Sequence, residues 1–138
     1  MKTAQHDDFA QIVGQIRVTM DELWQWHTAD FCPAESWAPR INMYRVKQTL
    51  QVCVDLAGVD RERIDLRIEP GKLLISGVRI APEPARGAND RMRILAMEID
   101  HGQFCRSIAL PDHVELARVT SKYDQGFLWI HLPLRVPG

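Results

Sequence analysis

Cysteine is scarce in this chain: Cys32, Cys53 and Cys105 are the only three, and they stand far apart. An odd number so spaced matches neither a disulfide framework nor a Cys-x-x-Cys metal knuckle, and it points to a reducing compartment. A dominant charge is missing too, since 17 Lys and Arg against 18 Asp and Glu leave a formal net charge of −1. No strong field therefore invites nucleic acid or an anionic membrane. Apolar runs stay far below the length of a membrane span, and the opening MKTAQHDDFAQ carries acids where a secretory leader needs an apolar core. The expectation is a cytoplasmic protein with no nucleic-acid and no membrane partner.

Chemistry-bearing motifs are equally thin. There is no G-x-G-x-x-G and no G-x-x-x-x-G-K-[ST], and each glycine is accounted for by a turn. His6, His27, His101, His113 and His131 include no pair at i, i+4 on a predicted helix, so no metal is expected. His131, opposite Leu128, Ile130 and Leu132 in strand alternation, is expected to be solvated. A nucleophile pair would need Cys105 beside His113 in space. Cys53 and Cys105 both alternate with strand residues and read better as small strand fillers. Asp55, Asp65, Glu69 and Glu98 alternate with apolar residues, as on a solvated sheet face, and nothing pairs two of them in a cleft. No catalytic residue and no cofactor follow.

What the chain does have is a change of period. Phe9, Ile12, Val13, Ile16, Met20, Leu23 and Trp24 recur at spacings of three and four, which predicts an amphipathic helix over 9–27. TADFCPAESWAPR follows as an extended connector with two prolines. From about residue 40 the period is 2. Leu50, Val52, Val54 and Leu56 share one face against Gln51, Cys53 and Asp55, and RERIDLRIEPG repeats the scheme. Pro70-Gly71 then turns the chain into KLLISGVRI, which makes a hairpin. Residues 81–91, APEPARGANDR, read as a loop, after which RILAMEI, QFCRSIALP, ARVTSKY and GFLWIHLPL give further strand signals. Roughly seven or eight short strands without an interior helix predict two packed antiparallel sheets. In GFLWIHL both faces are apolar, with Phe127 and Trp129 opposite Leu128 and Ile130, so something else must cover part of that strand.

Several ordered motifs now carry a family likeness. VDLAGVDRERIDLRIEPGKLLISGVR resembles the first half of the α-crystallin domain of small heat-shock proteins through Leu56, Gly58, Val59, Leu73, Ile75, Gly77 and Arg79. MEIDHGQFCRSIALPDHVE is similar to the family's G-x-F-x-R-x-x-x-L-P segment through Gly102, Phe104, Arg106, Leu110 and Pro111, and SKYDQGFLWIHLP to its A-x-x-x-n-G-v-L signature through Gly126 and Leu128. Ser121 stands where alanine is usual, Gln125 where asparagine is usual, and Ile99 where many relatives have arginine.

The resemblance implies an all-β, immunoglobulin-like antiparallel β-sandwich over 37–134, preceded by a helical arm and connector at 1–36 and followed by a short stub at 135–138. It implies an ATP-independent chaperone for unfolded or destabilised client proteins. Client binding by the arm would fall to Phe9, Ile12, Val13, Ile16, Met20, Leu23 and Trp24. A homodimer, or a larger oligomer, would form by exchange of the 81–91 loop, with Pro84 and Arg86, onto the neighbour's 41–46 strand, with Ile41, Met43 and Arg45. A groove for a partner's tail would be lined by Ile64, Leu66, Ile68, Val119 and Ser121. Leu134-Arg135-Val136 is a weak substitute for the family's own Ile-x-Ile tail. Two rivals remain: a module like the CS-domain co-chaperones that binds one folded partner, and a Cys-dependent enzyme on the same sandwich.

Overall fold

The computed structural model describes residues 32–136 and, by backbone alone, Ile16–Arg17. Its strands are β1 (Ile16–Arg17), β2 (Ile41–Val46), β3 (Thr49–Asp55), β4 (Ile64–Glu69), β5 (Lys72–Arg79), β6 (Gly102–Ala109), β7 (Thr120–Asp124) and β8 (Phe127–Pro133). They form two four-stranded sheets, in the orders β1-β4-β5-β6 and β2-β3-β8-β7. The expected all-β sandwich is what the chain forms. Among the described residues the only helical pieces are two short 3-10 turns, Arg61–Arg63 and Leu116–Arg118.

Alternation decides which side chains meet. Val52, Val54 and Leu56 of the β3 segment, Leu66 of β4, Leu73 and Ile75 of β5, and Leu128, Ile130 and Leu132 of β8 point between the sheets and are essentially sealed from water. Each such side chain buried contributes roughly 1.5–3 kcal/mol, which is why the register is so well determined. The registers are Val52↔Ile130 and Val54↔Leu128 in one sheet, and Leu66↔Ile75 and Leu73↔Ile108 in the other.

Turn chemistry sets the register of β4 on β5 and that of β7 on β8. Pro70-Gly71 closes β4 on β5, joining Glu69 to Lys72 as expected. Between β7 and β8 the loop is Gln125-Gly126, both at positive φ, 54° and 83°, which is the backbone a two-residue type I′ hairpin demands. Gly77, inside β5, answers to a different constraint. A Cβ there would lie 2.0 Å from the Arg63 carbonyl oxygen and 2.6 Å from Cζ of Phe104, so only glycine fits.

Three expectations need correction. The helix expected over 9–27 lies outside the described residues except at Ile16–Arg17, and these two form β1, paired in parallel with Leu66 and Arg67 of β4. The open edge of β4 offers main-chain groups that a helix cannot use, and Gly14 weakens helix here by about 1 kcal/mol. RILAMEI is not a strand: residues 93–99 are irregular and exposed, and among the described residues no strand pairs with them. Glu69, expected on a solvated face, is 2% exposed, because the alternation of β4 breaks at its last residue.

Candidate interaction surfaces

Arg79 organises one end of the sandwich. Its Nε and Nη2 donate to the carbonyl oxygen of Asp100 at 2.9 and 2.6 Å, and Nη1 donates to that of Ala57 at 3.2 Å. The guanidinium carbon stands 4.2 Å over the Trp37 ring, which also packs on Phe104 at 5.5 Å and donates from Nε1 to the Gly102 carbonyl. Because Arg79 pairs with Gly102, residues 80–101 leave the sheet and return to it at one clamped point.

That excursion is apolar where it should be wet. Ile80, Met92, Ile94, Leu95, Met97 and Ile99 are all exposed, Leu95 to 87%. So many large apolar side chains on one unpaired segment exceed what a soluble monomer scatters over its surface. Pro84 and Arg86 are exposed on the same excursion. The strand expected to receive it, β2, is also poorly covered: Met43 and Arg45 are exposed, Ile41 is half-buried, and only β3 pairs with β2 among the described residues. The outer edge of β2 thus presents unpaired N–H and C=O groups.

The residues expected to line a groove are deep. Ile64, Leu66, Ile68 and Val119 belong to the central apolar cluster, and Ser121 is fully buried. The Oγ of Ser121 and the Oε2 of Glu69 are sealed without a hydrogen-bond partner. What β4 offers outward is its main-chain edge, and β1 sits on it. The arm residues Phe9, Ile12, Val13, Met20, Leu23 and Trp24 lie outside the described residues. Leu134 is buried and bridges to Val114, and Arg135 donates from Nη2 to the Asp112 carbonyl, so the first two residues of Leu134-Arg135-Val136 are engaged by their own domain.

On the outer face of the β2-β3-β8-β7 sheet, Tyr44 stacks on Trp129 with ring centres 6.2 Å apart, and Phe127 is 46% exposed. His131 shares that face and is half-buried rather than solvated. Desolvation, and secondarily the charge of Lys122, pushes its pKa below the ordinary 6.5. Cys53 is the one free cysteine; burial, with a smaller push from Asp55, raises its pKa, so it stays a thiol.

The cysteines supply a further correction. Cys32 and Cys105 form a disulfide across 73 positions, with Cα atoms 5.5 Å apart. Cys105 is therefore neither a strand filler nor a nucleophile with His113. It faces outward on β6, and the connector carries Cys32 to it: the Trp37 N–H donates to the Gln103 carbonyl at 3.1 Å, and the Cys105 N–H donates to the Trp37 carbonyl at 2.9 Å. Wide spacing concealed this pair, because sequence separation says nothing about spatial approach; the connector's tryptophan was the available hint. Among the described residues no cluster of three or more His, Cys, Asp or Glu is placed to hold a metal ion, and no helix is long and apolar enough to cross a membrane.

Comparison with known proteins agrees with this geometry. Residues 42–138 match the profile of the Hsp20/alpha crystallin family. The chain is 32% identical over 94 residues to the 18 kDa antigen 1 of Mycobacterium avium, a match covering 68% of this chain and 60% of that protein. It is 29% identical over 96 residues to heat shock protein 16 of Schizosaccharomyces pombe, covering 70% and 66%. The chain thus spans somewhat less than two thirds of these relatives. Among solved structures, heat shock protein 16.0 of Schizosaccharomyces pombe superposes with a TM-score of 0.63 at 28% identity, covering 78% of this chain and 80% of that one. A small heat-shock protein from Xylella fastidiosa gives 0.61 at 26% identity, covering 75% and 91%.

Proposed function

Because the chain belongs to the Hsp20/alpha crystallin family of small heat-shock proteins, typically ATP-independent and non-enzymatic chaperones, we propose that it holds partially unfolded proteins and prevents their aggregation. The observation that carries this reading is the clamped excursion 80–101, whose apolar residues are left exposed by the described residues, together with the edge of β2, which has no second partner strand among them. Exchange of that excursion onto β2 of a second copy would satisfy both at once: main-chain hydrogen bonds for the edge, burial for Ile94, Leu95 and Met97. Pro82 and Pro84 have no N–H to donate, so pairing would rest on the residues between and after them.

Client segments would bind by the same strand addition at β4, a reading supported by the pairing of the chain's own Ile16–Arg17 with that edge, and through the apolar arm residues Phe9, Ile12, Leu23 and Trp24. The cytoplasmic location expected from the sequence belongs to this proposal.

Deletion of residues 1–36 tests it. The sandwich should stay folded, while assembly size by light scattering and protection of several heat-aggregating enzymes both fall. Unchanged aggregation of every client at equimolar full-length protein would refute the chaperone reading. A single folded partner captured stoichiometrically, without general protection, would favour the CS-domain-like alternative.

A further inference from the structure

The disulfide between Cys32 and Cys105 has no part in the reading above, and a reducing cytoplasm would not preserve it as a permanent staple. We propose that this pair is a reversible redox-modification site, a latch that exchanges with cellular dithiols and governs whether the connector Cys32–Trp37 is held on the edge of β6. For its effect on clients the proposal rests on the chaperone reading.

The two sulfurs are unequally placed. Cys105 is 6% exposed, whereas Cys32 is half-buried, so an incoming thiolate reaches Cys32. A bond forms between the reductant's sulfur and Sγ of Cys32, the old S–S pair of electrons passes to Sγ of Cys105, and that thiolate takes a proton from solvent. The reductant's second thiol then attacks its own sulfur in the mixed disulfide and releases Cys32 as a thiol. The protein gains two electrons and two protons, and the dithiol becomes a disulfide. Glutathione disulfide restores the bond in two exchanges: the Cys32 thiolate takes one glutathione sulfur and expels the other as a thiol, and Cys105 then attacks Sγ of Cys32 and expels the second.

Magnitudes decide what the latch controls. Fifteen positions separate Arg17 on β4 from Cys32, and twenty separate Arg17 from Trp37, the next attachment. Lengthening a loop that little lowers the chance of its closure only about 1.5-fold, so reduction leaves β1 on β4 almost as it was. At β6 the change is larger. Once the bond opens, the connector is held through Trp37, by its two main-chain bonds, its Nε1 bond, its packing on Phe104 and the Arg79 contact. Residues 32–36 come free, which adds roughly 17 Å of reach to the chain between Arg17 on β4 and Trp37. Reduction should therefore raise the contribution to client binding of the arm residues that follow β1, namely Met20, Leu23 and Trp24.

The test uses the full chain in glutathione buffers of graded ratio, beside Cys32→Ala. The Cys32 and Cys105 thiols should appear together within the range of those buffers. Cleavage after Glu35 by a Glu-specific protease should then quicken at least tenfold while cleavage at the buried Glu69 does not. Protection of a heat-aggregating enzyme should rise in step for the native sequence and should not respond to glutathione in Cys32→Ala. A bond that survives every ratio, or Glu35 cleavage indifferent to reduction, overturns the latch. Equal protection by oxidised and reduced protein overturns its regulatory role. If no form protects any client, the chaperone reading falls and with it the regulatory role, while thiol counting and Glu35 cleavage still judge the latch.

Discussion

Ser121→Ala should make this protein more stable. The Ser121 side chain is 0% exposed and its hydroxyl has no hydrogen-bond partner, although it sits on β7 among apolar neighbours, opposite Ile130. A hydroxyl stripped of water and left unpaired costs about 1–3 kcal/mol. Removing the oxygen leaves a void of roughly one small atom, about 10 Å³, worth only about 0.3 kcal/mol against the variant. The balance favours alanine by about 1 kcal/mol, or a rise of about 4–8 °C in Tm for a domain near this size. Thermal and urea unfolding at one fixed protein concentration would measure it, since assembly couples stability to concentration. Ser107→Ala, on the exposed side of β6, is the control and should stay within about 0.5 kcal/mol. An unchanged or lowered Tm for Ser121→Ala would show that the hydroxyl finds a partner in solution and that the reasoning is wrong.

Gly77→Ala should act in the opposite direction, because its Cβ collides with the Arg63 carbonyl at 2.0 Å and with Phe104; a loss of about 3 kcal/mol in urea unfolding is expected. Opening the 73-position Cys32–Cys105 loop should lower domain stability by about 4 kcal/mol, read as a difference between oxidised and Cys32→Ala protein. His131, its pKa depressed by burial, is neutral in the folded protein where the unfolded chain would already bind a proton. Its contribution is whole above pH 6.5 and is lost as pH falls below that toward the folded value, so His131→Gln should flatten the acid side of the stability curve. In the reduced native protein, alkylation should modify Cys53 well after Cys32, and denaturant should abolish the delay.

The surfaces were legible in unequal measure. The 81–91 loop and the 41–46 strand INMYRV follow by position from the family resemblance, whereas RILAMEI reads as one more strand of the sandwich, so the apolar exposure of residues 92–99 is not foreseen. Arg79 was visible only as a motif position. Its work of tying Asp100, Ala57 and Trp37 together depends on three carbonyl and ring positions from separate parts of the chain, which no local pattern encodes. The groove residues Ile64, Leu66 and Ile68 come from the resemblance; their alternation marks only one apolar strand face, and burial is a property of what lies opposite.

By itself, the sequence determined β4, β5, β7 and β8 and the turns between them, since alternation in DLRIE and FLWIHL and the dipeptides Pro70-Gly71 and Gln125-Gly126 act over a few residues, with sterics that need no distant partner. It determined as well which residues would form the inter-sheet core. Only the tertiary structure decided that Ile16–Arg17 would be strand, that Cys32 would meet Cys105, and that Glu69 and Ser121 would be sealed. Each of those outcomes depends on what the folded chain brings alongside from far away, and such approach leaves no mark on local order.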